Sequence, residues 1–284
     1  MSDVCVAHLV RRGNPLSALE QFLASYRQHP AGAAHDLLII FKGFAGPATL
    51  APCEKLLEGQ RHRRMFVRDY GFDVRPYLKA GREQPHRFFV FLNSFSRILV
   101  PGWLELLLRH ARPGVGLVGA TGSHQSPLDD SAILRRETRK WRRFLRYVVD
   151  IRGRFAPFPN PHVRTNAFLV SKEVVTRLRT RPIVTKWSAY RFESGIDSMT
   201  RQVMSAGLRP LLAGRDGRAY EPQDWPQART FWIGEQENLL VSDNQTRAFE
   251  NGSPAFRERL SFFAWRRHPD GRERHDVPPP ADGR

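Results

Sequence analysis

Short apolar runs interleaved with stretches of helical period set the narrowest limit on what this chain can fold into. VCVAHLV (4–10), DLLIIFKGF (36–44), RRMFVRD (63–69), FFVFL (88–92) and VGLVGATGS (115–123) read as strands, most of them too apolar for a sheet with one wet face. Between the first two, Leu16, Leu19, Phe22, Leu23 and Tyr26 recur at spacings of three and four, with Asn14 as N-cap and Pro15 at the first helical position. GWLELLLRHA (102–111) reads as another helix. Alternation of this kind predicts an α/β fold with a mostly parallel central sheet and helices on both faces. Ligands in such sheets bind outside the carboxyl ends of the strands. The run FFVFL ends there on Asn93 and Ser94, and Lys42, Asp69 with Asp73, and Thr121 with Ser123 occupy comparable ends.

The second half is less regular. A basic stretch, SAILRRETRKWRRFLRYVVDIRGR (131–154), reads as a helix, and a proline-rich turn then leads into a strand near 163–170. SKEVVTRLRT follows as a helix, FESGIDSMTRQVMSAG as a loop entering a helix, and LRPLLAGRDG as a late strand. Residues 1–265 are expected to form one domain. From residue 266 onward the chain is rich in Arg, Pro and Asp without an apolar period, and is expected to fray.

With a hydrophobic content of 41% the chain can bury a core. Its two cysteines, Cys5 and Cys53, make neither a disulfide framework nor a zinc knuckle, which suits a reducing compartment. No run approaches the roughly 20 apolar residues that span a bilayer. The expected location is cytoplasmic, with a peripheral place on the inner face of the membrane as the variant. The formal charge of +17 points toward anionic partners or reflects codon bias alone. Trp141, Phe144 and Tyr147 among the arginines of 135–148 suit an anionic membrane surface, a nucleic-acid backbone or a plain solvated face. No zinc, helix-turn-helix or RNP signature supports nucleic acid.

The order of these motifs resembles the inverting family-two glycosyltransferases of the GT-A fold. NPLSALEQFLASYRQHP is similar to that family's first helix, and DYGFDVRPYLKA, with Asp69, Gly71 and Asp73, to a stretch that closes over the nucleotide. FFVFLNSFS takes the place of the strand that ends in Asp-x-Asp, and FESGIDSMTRQVMSAGLRPLLAG that of the acidic-motif helix. The resemblance covers residues 4 to 215. It implies transfer of a sugar, a hexosyl group, from a nucleotide-diphosphate donor to a glycan or lipid-linked acceptor, with inversion. The chain departs from the pattern at Lys42-Gly43, where an Asp is usual, at Asn93-Ser94-Phe95, where Asp-x-Asp is usual, and by one extra residue between Glu193 and Asp197.

Such a transfer needs a base for the acceptor hydroxyl and something to offset the leaving diphosphate. Glu193 is the first candidate base and Asp197 the second. The alternatives are that Glu193 caps a helix and that Asp197 pairs with Arg201 at i, i+4. Asp69, Asp73, Asn93, Ser94, Arg201 and Trp232 are the candidate substrate contacts. Asp69 and Asp73 read equally as turn formers, Asn93 and Ser94 as the end of an ordinary strand, and Trp232 as a core residue. Mg²⁺ or Mn²⁺ needs carboxylate oxygens that the Asn-Ser pair does not supply, so arginines such as Arg97, Arg164 and Arg201 compete with a metal for the diphosphate. A protein of this fold that only binds glycan or nucleic acid is the competing reading.

Overall fold

The computed structural model describes residues 2–130 and 151–276. The basic stretch 135–148 lies outside the described residues. Strand β1 (Val4–Arg11) shows why the sheet is covered on both sides: Val4, Val6 and Val10 enter one apolar cluster while Cys5, Ala7 and Leu9 enter another. Alternate residues of a strand point to opposite faces, so an unbroken apolar run requires cover on both. The first cluster takes Leu19, Phe22 and Leu23 from α1 (Leu16–Gln28), Leu50 and Leu57 from α2 (Pro47–Leu57), and Trp103 and Leu107 from α4 (Trp103–Leu108). The opposite cluster takes Tyr77 and Leu78 from α3 (Val74–Glu83), Val175 from α5 (Lys172–Arg177) and Val203 from α7 (Met199–Ser205).

The central sheet has eight strands in the order β11-β10-β6-β9-β4-β1-β2-β3. These are β2 (Asp36–Lys42), β3 (Arg63–Val67), β4 (Phe88–Leu92), β6 (Val115–Gly119), β9 (Ala167–Ser171), β10 (Arg209–Ala213) and β11 (Ala219–Tyr220) beside β1. β9 runs antiparallel to both β4 and β6, and β11 antiparallel to β10; the other neighbours are parallel. The mostly parallel sheet with helices on both faces is thus the architecture observed. Two small antiparallel pairs, β5 (Arg97–Ile98) with β12 (Val241–Ser242) and β7 (Gly122–Ser123) with β8 (His162–Val163), fold above the carboxyl ends. The remaining helices are α6 (Lys186–Ser194), α8 (Asn244–Glu250) and α9 (Pro254–Trp265).

Several local expectations change. Helix α1 begins at Leu16 after an extended Pro15, and no side chain caps it; Asn14 instead turns back, its N–H donating to Arg11 O at 3.0 Å. DYGFDVRPYLKA carries a helix, because Val74, Tyr77 and Leu78 make a buried i, i+3, i+4 stripe. Phe192 to Ser194 close helix α6 instead of opening a loop. Residues 266–276, expected to fray, double back: Arg267 bridges Glu273, and Gly234 N–H donates to Pro269 O at 2.6 Å. No helix among the described residues is long and apolar enough to cross a membrane.

Candidate active site

The strands that follow β1 in sequence pair outward on one side of it, through β2 to β3, while β4 pairs on its other side. This reversal makes the carboxyl ends of β1 and β4 the switch point at which α/β sheets bind ligands. Two cavities meet there. A cavity of about 460 Å³ includes Asn93 in its wall, and one of about 170 Å³ includes Ser94, Arg11 and Arg12.

Helix α6 builds one wall of the larger cavity. Thr185 and Ser188 start it with reciprocal side-chain to backbone hydrogen bonds, and Trp187, Tyr190 and Glu193 then fall three residues apart on the cavity face. Trp187 and Tyr190 meet edge to face with ring centres 5.8 Å apart, and Tyr190 is 38% exposed. Glu193 Oε2 accepts from Thr165 N–H at 2.8 Å and from the Thr165 hydroxyl. Its other oxygen has no hydrogen-bond partner among the described residues. The carboxylate is therefore anchored through one oxygen and leaves the second for a ligand.

The loop before β9 builds the facing wall. Arg164, half-buried, pairs with Asp243 at 2.9 Å, lies 4.1 Å over the Phe231 ring, and donates to Thr121 Oγ at 3.3 Å. Thr121 Oγ is 2.5 Å from Asn166 Oδ1, a spacing typical of O–H···O bonds, which turns Asn166 Nδ2 away without a partner. A buried donor left unpaired costs about 1–3 kcal/mol. His162 Nδ1 lies 2.8 Å from Asn160 O. A carbonyl only accepts, so Nδ1 carries the proton and Nε2 keeps a lone pair. Burial lowers the His162 pKa, with the Glu193 charge opposing. Asp130 accepts from Gln125 Nε2 at 2.7 Å, its Oδ1 makes no hydrogen bond but lies 3.5 Å from the Arg266 guanidinium, and burial pushes its carboxyl up to about 7.

Trp232 also lines this cavity, 7% exposed, but three hydrogen bonds fix it: its N–H to Gln236 Oε1, its ring N–H to Gln245 O, and its carbonyl from Ser261. Its φ of 49°, with 50° at Arg229 and 52° at Gln236, places three non-glycine residues of one short segment in the left-handed region. Such residues cost of order 1–3 kcal/mol each and persist where the surroundings over-determine them.

The remaining sequence candidates separate. Asn93 stands in the wall, with its Oδ1 engaged by Phe95 N–H at 3.0 Å and Ser96 Oγ at 3.1 Å, a local turn. Ser94 faces the smaller cavity. Asp69 pairs with the exposed Arg11 at 3.0 Å and the buried Lys42 at 3.5 Å; the Arg11 guanidinium holds its carboxyl below the usual range. Gly43 is needed beside it: its φ is 81°, and a Cβ there would sit 2.9 Å from Asp69 Cβ. Burial raises the Asp73 pKa, Lys42 opposes, and Glu193 adds to the rise.

Asp197 and Arg201 lie elsewhere. Both line a broad groove at the opposite ends of β4 and β6. Asp197 is paired with Arg191 at 2.8 Å and Arg181 at 3.3 Å, and not with Arg201, which donates to Asn160 Oδ1 at 3.2 Å. Arg97 is held by Gln21, outside the larger cavity.

Among the described residues no three His, Cys, Asp or Glu side chains converge as metal ligands. Asn93, with its oxygen taken by the turn, does not make a carboxylate-rich cation site at the tip of β4. The residues that sequence reasoning missed are Trp187, Tyr190, His162, Asn166 and Asp130. The W-x-x-Y-x-x-E spacing of 187–193 was the available signal.

No protein-family model matches the chain, and no curated protein sequence does. Among solved structures the chain is similar to a mannosyltransferase from Pyrobaculum calidifontis in complex with GDP-Man and Mn²⁺, at 14% identity and a TM-score of 0.48, covering 80% of this chain. The chain spans 59% of the length of that protein. It is also similar to mouse xyloside xylosyltransferase 1 in its apo form, at 12% identity and a TM-score of 0.39, covering 72% of this chain and 76% of that one.

Proposed function

We propose that the protein is a glycosyltransferase that moves a sugar, a hexosyl group, from a nucleotide-diphosphate donor to a glycan or lipid-linked acceptor with inversion. The observation that carries this reading is Glu193, held through one oxygen by Thr165 and without a partner for the other among the described residues, in a cavity that shares the tip of β4 with a second one. The donor occupies the switch point between β1 and β4, its diphosphate met by Arg12 of the smaller cavity and by Arg11 once that guanidinium turns from Asp69. The acceptor occupies the larger cavity. Glu193 takes the proton of the acceptor hydroxyl as that oxygen attacks the anomeric carbon. The bond from the anomeric carbon to the phosphate oxygen breaks on the opposite face, and the diphosphate leaves with the electron pair. A single carboxylate suffices for this one-step displacement, which inverts the anomeric centre. No step is routed through a metal.

The test is hydrolysis and transfer from UDP-, GDP- and dTDP-sugars, with Mn²⁺ and with EDTA, by the wild type and Glu193→Gln. The variant is expected to bind the donor and lose turnover. Undiminished turnover would remove Glu193 from the mechanism. The reading as a protein that only binds glycan rests on the turn that engages Asn93 Oδ1, and binding without turnover in the wild type would favour it.

A further inference from the structure

The charges of the larger cavity differ from those of the chain as a whole. In a protein with a formal charge of +17, the one arginine among the described residues of its wall, Arg164, is neutralised by Asp243 at 2.9 Å. His162 commits its Nδ1 proton to Asn160 O, and its burial disfavours the charged ring. Glu193 keeps one oxygen without a partner among the described residues, and Asp130 adds a second carboxyl, 3.5 Å from Arg266. Lys186 is not part of the wall and lies 5.3 Å from the centre of the Tyr190 ring. Within the cavity nothing among the described residues offers an unopposed positive charge to an anionic ligand.

The hydrogen-bonding groups are of both kinds. Asn166 Nδ2 is a buried donor with no partner, while His162 Nε2 and the second Glu193 oxygen accept. A buried unpaired donor beside two acceptors fits a ligand whose hydroxyls donate and accept. Beside them, Trp187 and Tyr190 present ring surface on the same helix face as Glu193. Aromatic faces take the apolar C–H face of a pyranose, and about 460 Å³ lies within the usual range of small-molecule sites, roughly 300–1,000 Å³.

We propose that the cavity selects an uncharged saccharide: a pyranose stacked on Trp187 and Tyr190, its hydroxyls meeting Asn166 Nδ2, His162 Nε2 and Glu193. As a statement about the acceptor it rests on the transferase reading. As a statement about binding it can be tested separately.

The experiment uses the full chain and matched probes: methyl glucoside against methyl glucuronoside, and methyl mannoside against mannose 6-phosphate. Binding is followed by saturation-transfer NMR and tryptophan fluorescence. At least one neutral glycoside is expected to bind about tenfold more tightly than its anionic match, and Trp187→Ala to weaken it about tenfold. If Trp187→Ala does not fold, Tyr190→Ala at the exposed ring carries the same expectation. Equal or tighter binding of the anionic probes, no binding of either neutral glycoside, or indifference to both substitutions overturns the proposal. UDP, GDP and dTDP are titrated in parallel. Nucleotide binding without neutral-sugar binding ends this inference and leaves the transferase reading in place; neutral-sugar binding without nucleotide binding does the reverse.

Discussion

Glu193 and Asp197 are four residues apart in sequence, yet their surroundings are opposite. Glu193 closes a helix whose cavity face is aromatic, is held through one oxygen, and stands among groups that lack partners. Asp197, past the helix end, is gripped by Arg191 through both oxygens and reinforced by Arg181. A saturated carboxylate holds structure, whereas a half-satisfied one retains capacity for a ligand. Proximity in sequence therefore misleads about role here, and hydrogen-bond accounting separates the two.

The comparison breaks or sharpens first on activity. Glu193→Gln is expected to lower kcat on the competent nucleotide sugar by about 10²–10⁴, with the melting temperature little changed, while Asp197→Asn keeps most of the activity. The reverse pattern would exchange the two roles.

A second prediction concerns Asp130, a buried carboxyl in the wall of the same cavity. Burial raises Asp130 to about 7 from 3.8, so its folded form binds the proton more tightly than the unfolded one. Its contribution is favourable below the unfolded value and is lost as pH rises through 7. The cumulative loss is roughly 4 kcal/mol at the most. Thermal unfolding should show Asp130→Asn gaining on the wild type from pH 5 to pH 8, and a constant difference would contradict the assignment.

His8 provides a control outside the larger cavity. It stacks on Phe22 at 3.6 Å with both nitrogens unpartnered, and burial lowers its pKa to about 3. The folded form thus disfavours the proton that the unfolded chain takes up near 6.5. Stability is full above that value and falls as pH drops toward 3. His8→Phe should therefore gain about 2 kcal/mol on the wild type between pH 7.5 and pH 5 in denaturant titrations. An unaltered difference would mean that the ring has found a partner.

The smallest effect is expected at Asp197. Partial burial pulls its carboxyl up, but Arg191 and then Arg181 hold it below the usual value. That stabilisation is present above about pH 4 and is lost as pH falls through the lowered value. Because the carboxylate is 40% exposed, solvent screens it, and Asp197→Asn should cost under about 1 kcal/mol in urea unfolding at pH 7.

Strands were the legible part of the sequence. An apolar run such as DLLIIFK needs cover on two faces whatever surrounds it, so β2 and the mostly parallel sheet follow from residues alone. Helix α3 was hidden because Gly71 and the flanking aspartates read as turn chemistry, while the stripe that buries Tyr77 is short. Asn93 and Glu193 could be singled out because a polar residue at a strand end and an acid near a helix end are local features. His162 and Asn166 could not, since each matters through a partner far along the chain: Thr121 fixes Asn166 across 45 residues, and Val163, beside His162, donates its N–H to Thr200 Oγ1. Asp197 and Arg201 looked coupled by spacing, but Asp197 instead faces Arg191 on the preceding helix.

The position of β9 has a consequence for how the chain is made. This antiparallel strand fills the gap between β4 and β6, and Asn93 N–H is held by Asn166 O at 2.8 Å across that seam. During synthesis from the N-terminus, β4 and β6 must wait with open edges until residue 171 has emerged, and open edges invite pairing with other chains. Joining of β4 to β6 and closure of the cavity wall are then one kinetic event. A nascent chain arrested before β9 exposes both edges, and one extended beyond it has hidden them.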